Sequence, residues 1–273
     1  MFSACAPPAL KRSPSITSGE WRCHNRYTPQ VVDRSSLQAT GAQAENIGQP
    51  LGGQTRRTMI DKSIVRAIGM NVQNHWERIY GMKAPESVSW YRPHLELSLK
   101  LIERAAPDLS APIIDVGGSE STLVDDLLAH GYKNVTVLDV SQTAIDVSTR
   151  RLGEASERVK WLVADITRAE LAPCAYDVWH DRAVFHFLTT IDERIAYVRQ
   201  VAHAVKPGGH VIVSTFGPEG PTKCSGLDVV RYDAESLHNE FGVHFNLLDH
   251  SEELHRTPFG TVQQFLYCLC RVE

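Results

Sequence analysis

Three aspartates end three successive apolar runs: Asp115 in "IIDVGG", Asp139 in "VTVLDV" and Asp165 in "WLVADI". Neighbouring parallel strands end side by side, so carboxylates placed there can converge on one ligand. After Asp115 the chain reads Gly117-Gly118-Ser119-Glu120-Ser121-Thr122. Gly117 can adopt positive φ and let backbone amides approach closely. A helical pattern starting near Ser121 would turn free N–H groups toward an anion. A dinucleotide turn reads G-x-G-x-x-G, and only its first glycine survives here. Glu120 would repel a pyrophosphate, whereas a smaller anion such as an amino-acid carboxylate is easier to place. Asp139 stands where an acid accepts from ribose hydroxyls, and Asp165 could accept from an exocyclic amine of adenine. Each alone could equally cap a helix or open a turn. Three in corresponding places are much less readily a coincidence.

A second cluster holds groups that can move protons: His180, Asp181 and His186. Histidine titrates near neutrality and can take a proton. The alternative is a partly buried histidine bonded to backbone. Beyond them the run "FGPEGPTKCSGLDVVRYD" is long and Gly/Pro-rich, as loops over substrates often are, with Cys224 inside it. Cys268 and Cys270 would face one side of a strand. Core packing is the expected reading, and no metal site is expected, since no second Cys/His pair stands at zinc spacing.

These groups need a frame, and the chain alternates strand-like and helix-like segments from about residue 70. "VQNHWERIYG" and "RPHLELSLKLIERAA" read as helices. "APIIDVG", "NVTVLDV", "VKWLVAD" and "AYDVWHD" read as strands. Between them lie "TLVDDLLAHG", stopped by Gly131, and "SQTAIDVSTRRLG", capped by Ser141 and followed by Gly153. "IDERIAYVRQVAHAV" places Ile191, Ile195, Val198, Ala202 and Val205 on one helical face. Lys206-Pro207-Gly208-Gly209 then turns the chain into "HVIVSTF". This rhythm predicts an α/β fold: a Rossmann-like three-layer sandwich around a seven-stranded, mostly parallel sheet. "FGVHFNLLDHSEE" and "TVQQFLYCLCRVE" follow one another without a helix, so the sheet must finish in an antiparallel hairpin.

The 273 residues are 42% hydrophobic and 22% charged with net charge −4, which excludes a strongly basic field for nucleic acid. No apolar run approaches the ~20 residues that span a bilayer. The scattered cysteines argue for a reducing compartment and against a disulfide framework. Residues 1–58 are polar and acid-poor, and are expected to be disordered. A plain tail, a transit peptide and an over-extended start before Met59 or Met70 compete, the last being preferred. Residues 59–110 would form a helical cap and 111–273 a catalytic domain. A cytoplasmic location is expected, or a mitochondrial one if the leader is a transit peptide.

With "IIDVGGSES", "VLDVS", "VADIT", "YDVWHD" and "VKPGGHVIVSTF", residues 70–273 resemble the class I S-adenosylmethionine-dependent methyltransferases. Ser119 and Ser121 replace two glycines of that family's D/E-x-G-x-G-x-G. "NHWERIY", "VSWY" and "HDRAVFHF" resemble a subgroup containing the elongation factor lysine methyltransferases. The resemblance implies S-adenosyl-L-methionine as cofactor. It would be held by Asp115, Gly117, Gly118 and Ser119, by Asp139 with Val140, and by Asp165 with Ile166. Trp76, Tyr80, Trp90 and Tyr91 would line its methionine side, with Arg182 as the basic residue after the fourth strand. Alternatively the aromatics merely pin an N-terminal helix. Trp76 and Tyr80, four apart, stack on one helical face.

The implied chemistry is methyl transfer, and a base is needed only for a protonated nucleophile. His180, Asp181 and His186 are the catalytic candidates. No N/D-P-P-Y/F or Pro-Cys follows the fourth strand, so a nucleic-acid base is not the expected acceptor. A small molecule is preferred because no added recognition domain is visible, with a protein lysine as alternative. A nicotinamide-dependent reductase and a non-catalytic cofactor sensor are the rivals of other classes.

Overall fold

The structure, a computed structural model, describes residues 62–273. The readings of residues 1–58 lie outside the described residues. Helix α1 (Lys62–Met82) and helix α2 (Glu96–Ala105) precede the sheet. The alternating core then runs β1 (Ile113–Val116), α3 (Leu123–Ala129), β2 (Val135–Asp139), α4 (Gln142–Leu152), β3 (Val159–Val163), β4 (Tyr176–Arg182), α5 (Ile191–Ala204) and β5 (Val205–Phe216). A small hairpin, β6 (Lys223–Cys224) with β7 (Leu227–Asp228), leads to α6 (Ala234–Phe241). The chain ends in β8 (Phe245–Arg256) and β9 (Val262–Val272).

The seven-stranded sheet has the order β3-β2-β1-β4-β5-β9-β8. The first five strands are parallel, and β9 runs antiparallel to both neighbours. The expected terminal hairpin is therefore present. Its strands alternate between two cores, as a pleat requires. Cys268 and Cys270 face one core with α5 and α6, while Phe265 and Tyr267 face the other with α2 and α3. Burial pushes both thiols up to about 12. The two cysteines thus behave as apolar core residues, and no metal-binding cluster exists among the described residues. Nor is any described helix long and apolar enough to cross a membrane. Cys224, Cys268 and Cys270 are free, whereas Cys174 is disulfide-bonded. It lies on a half-buried turn rather than in either core.

Three local expectations need correction. The buried face of α5 is Tyr197, Val198, Val201 and Ala204; of the expected row Val198 and Val205 are buried, Ile195 and Ala202 are half-buried, and Ile191 is exposed. The Tyr197 hydroxyl explains the difference: it has buried polar partners, so the ring can enter the core. Residues 206–209 are not a turn before β5 but an irregularity within it, where the register with β4 shifts between Tyr176 and Val178. Gly208 takes φ +80° there. Helix α3 starts at Leu123, later than expected, because Ser121 Oγ accepts from the Leu123 N–H at 3.1 Å and holds Ser121 in the preceding turn. The Ser141 cap is as expected and accepts from the Ala144 N–H.

Candidate functional site

Strands β1 and β4 lie side by side where the strand order reverses, so a crevice opens at their carboxyl ends. Two joined hollows occupy it, sharing Tyr80, Trp90, Val116, Gly117 and Arg182. The larger has about 820 Å³ of space including its open mouth, enough for a nucleoside and a further small group.

The glycine turn forms the floor. Gly117 has φ +70°, and a Cβ there would stand 2.1 Å from Val184 Cγ2. A Cβ on Gly118 would stand 2.0 Å from Asp115 Oδ2. Both positions therefore require glycine for packing, and Gly117 requires it for its conformation as well. Asp115, buried at the end of β1, accepts from or is paired with His180 Nδ1 at 2.7 Å. A carboxylate only accepts, so the ring carries a proton on Nδ1 and leaves Nε2 outside the pair. That Nε2 and Asp115 Oδ2 are buried and have no protein partner.

Asp139 closes β2 on the floor of the larger hollow and accepts from the Ser141 N–H at 2.9 Å. Burial raises its pKa to about 6, against hydrogen bonds from Ser141, Ser119 and Val140 that lower it. Val140, Asp165 and Ile166 line the same hollow. Asp165 also accepts from the Thr167 N–H and hydroxyl, so it begins a turn and faces the cavity at once.

The outer wall is aromatic. Trp76 stacks with Tyr80 at 5.6 Å and meets Phe187 and Trp90 edge-on at 5.1 and 6.0 Å. These rings both line the cavity and attach α1 to the body. Tyr91 lines the smaller hollow. Arg182 lines both, with Nε donating to the Tyr267 hydroxyl and the guanidinium 4.2 Å from the Phe265 ring centre. Its Nη1 reaches the Trp90 carbonyl at 3.3 Å, so it also fixes the Trp90 loop.

Sequence reasoning missed the second attachment of α1. Glu77 accepts from Ser141 Oγ, Gln142 N and Thr143 N at 3.0, 2.7 and 3.1 Å, completing the N-terminus of α4 from another helix. No local spacing signals a contact between residues this distant in the chain. Glu120, Arg92 and Phe187 also line the cavity without having been singled out as ligands, and Cys224 of the long loop lines it too.

Of the three catalytic candidates, only His180 lines the cavity. Asp181 turns into the core, where its oxygens accept from Val184 N, Phe185 N and the Tyr197 hydroxyl. It is a buried acceptor that shapes the turn after β4, and burial raises it to about 6. His186 is fully buried between Phe187 and Phe216, with Nδ1 accepting from the Phe216 N–H. Burial lowers it to about 3, so it is neutral at ordinary pH and lies off the cavity wall. Ser119 is likewise buried behind the wall, against Asp139.

Residues 113–209 match the family model described as a methyltransferase domain. The chain is 25% identical over 139 residues to an eEF1A lysine and N-terminal methyltransferase of Mus musculus, covering 51% of this chain and 20% of that protein. It is 28% identical over 117 residues to a ubiquinone biosynthesis O-methyltransferase of Serratia proteamaculans (strain 568), covering 42% and 47%. The chain thus spans only a fifth to about half of these relatives. Among solved structures, it resembles Burkholderia thailandensis 1,6-didemethyltoxoflavin-N1-methyltransferase, solved with S-adenosylhomocysteine. The TM-score is 0.54 at 15% identity, covering 83% of this chain and 93% of that one. Sheet order, glycine turn and the match over residues 113–209 define the class of domain present: a methyltransferase domain with the fold of the class I S-adenosylmethionine-dependent enzymes. The domain match supports S-adenosylmethionine as cofactor, and the relatives it resembles include enzymes named for elongation factor lysines and for a small-molecule pathway.

Proposed function

We propose that this chain transfers the methyl group of S-adenosylmethionine to a nucleophilic atom of a small, largely apolar molecule. The observation that carries this is the cavity beyond the glycine turn. Past Asp139 and Asp165 its walls are Val72, Trp76, Val184, Phe187, Leu188 and Cys224. The acids lining this hollow among the described residues are Asp139 and Asp165, which the cofactor's ribose and adenine would occupy, leaving none for an acceptor's ammonium group.

The polar wall fits the cofactor. Buried polar atoms without protein partners, Asp115 Oδ2 and His180 Nε2, suit a ligand that brings an ammonium group. Asp139 suits ribose hydroxyls, while Asp165 and Ile166 suit an adenine edge and face. Bound S-adenosylmethionine supplies an activated methyl on a sulfonium centre. The chain then has to hold a nucleophile in line and keep water out. Trp76, Tyr80, Trp90 and Phe187 shield the site and offer ring faces to a cation. Burial holds Cys224 near 11, so it is a neutral thiol that packs against the acceptor. His180 is the one retained candidate for handling a proton.

The eEF1A-directed relatives favour a second reading, a protein lysine as acceptor. Methyl-labelled S-adenosylmethionine in a cell lysate separates the two, with Asp139→Ala as control. Label in the small-molecule or volatile fraction supports the first reading. A discrete labelled protein band overturns it in favour of the second.

A further inference from the structure

Glu120 follows the glycine turn and lines the smaller hollow with 5% exposure. Both carboxyl oxygens are buried and neither has a partner. A buried carboxylate without donors is costly, so such a group either holds a proton or awaits a ligand that donates. Four charged or titratable groups act on it or feel it. Asp139 faces it from the end of β2, Glu86 from the short turn at Pro85–Ser87, and Tyr80 from α1. Arg151 of α4 is the one cation among them, and its guanidinium is already engaged by Asp125 and the Ser121 carbonyl. The Asp115–His180 pair shares the same hollow.

The geometry points to Glu120 as a second acidic contact for the cofactor, coupled to Asp139, so that cofactor binding releases a proton. This rests on the reading of the cavity as the S-adenosylmethionine site. Without ligand, the two buried carboxyls titrate as a pair and retain a proton at neutral pH. Burial, with Asp139 beside it, moves Glu120 up to about 7. Donor groups of the ligand then favour the ionised form, and the O–H proton of the pair passes to solvent. The stretch "GGSES" therefore replaces part of a glycine-rich loop with a proton-linked contact. The ligand would be held more tightly as pH rises through neutrality.

Calorimetry with S-adenosylhomocysteine as probe tests this, at pH 6, 7 and 8. At pH 7 the titration is repeated in phosphate and in Tris, whose ionisation heats differ. Wild type is expected to release part of a proton at pH 7 and to bind several-fold more weakly at pH 6 than at pH 8. Glu120→Gln, which keeps shape and cannot ionise, should lose most of that proton release and flatten the pH dependence. Glu120→Ala should do the same, guarding against a folding effect of either variant. Equal proton release in wild type and both variants overturns the role of Glu120. No binding by folded wild type at any pH would instead remove the cofactor reading itself.

Discussion

Glu77→Ala removes the attachment of α1 to α4 without touching the cavity floor. The wild-type carboxylate receives three donors at the N-terminus of α4. Burial by itself would raise its pKa, but hydrogen bonds from Thr143, Gln142 and Ser141 hold it below the usual value. Hydrogen bonds to a charged group contribute about 1.5–3 kcal/mol when well buried. A carboxylate at a helix N-terminus adds about 0.3–1 kcal/mol. Glu77 is only partly buried, so solvent screening reduces the sum to about 2 kcal/mol. Helix α4 keeps its own cap, Ser141 Oγ to Ala144 N, so the loss falls on the docking of α1. That docking then rests on the rings of Trp76 and Tyr80. At about 1.4 kcal/mol per tenfold, S-adenosylhomocysteine should bind up to about 30-fold more weakly. Calorimetry reads the affinity, and hydrogen exchange of α1 reads its release. Affinity within twofold of wild type, with α1 equally protected, would refute the assignment of Glu77 as the fastening of this wall. The pH sign follows from the lowered pKa. The attachment is fully present above the unfolded value of about 4.5 and is lost as pH falls through the folded one.

Two further substitutions separate framework from site. His186 is about 3 when folded and 6.5 as a model group, so the unfolded chain binds the extra proton between those values. Stability should fall as pH drops below 6.5, by about 2 kcal/mol at pH 5 from this group. Thermal melts of wild type and His186→Gln at pH 5 and 7.5 isolate it, and an identical acid loss in both proteins would count against a buried neutral ring. Tyr197→Phe strips Asp181 of one donor and Trp179 of its acceptor. Urea unfolding should show a loss of about 1–3 kcal/mol while S-adenosylhomocysteine affinity stays unchanged. A selective loss of affinity would return Asp181 to the site.

What was legible in the sequence followed from periodicity. Asp115, Asp139 and Asp165 each end an apolar run, and parallel strands must bring such ends together. The hairpin followed from two strand patterns too close for a crossover. What escaped depended on side-chain direction or on distant partners. His180, Asp181 and His186 are near in sequence, yet the strand's alternation and the turn after it send one to the cavity and two to the core. The α5 face was misplaced because Tyr197 carries a hydroxyl and its buried partners come from β4. Glu77 was not singled out and Glu120 was read only as repelling a pyrophosphate, since nothing local announces a helix end or an unpaired cavity wall.

The two serines that interrupt the glycine pattern have structural work of their own, which sets a last prediction. Ser121 Oγ accepts from the Leu123 N–H and begins α3, because the Thr122 hydroxyl at the cap donates to the Arg92 carbonyl and makes no capping bond. Ser119 is fully buried against Asp139. Its N–H helps hold the carboxyl down, and its hydroxyl faces the same group without a close hydrogen bond. Reverting both, Ser119→Gly with Ser121→Gly, would restore the usual family spelling while removing both hydroxyls, keeping the Ser119 N–H, and adding chain entropy. The cap-like contact and the added backbone freedom together put the loss at about 1–2 kcal/mol of stability. Affinity for S-adenosylhomocysteine should not rise, since close approach is already secured by Gly117 and Gly118. Calorimetry and a urea melt on the double variant decide it. A tenfold gain in affinity at unchanged stability would show that the serines are damage to the turn, whereas a less stable protein of equal or weaker affinity shows them to be part of how it is built.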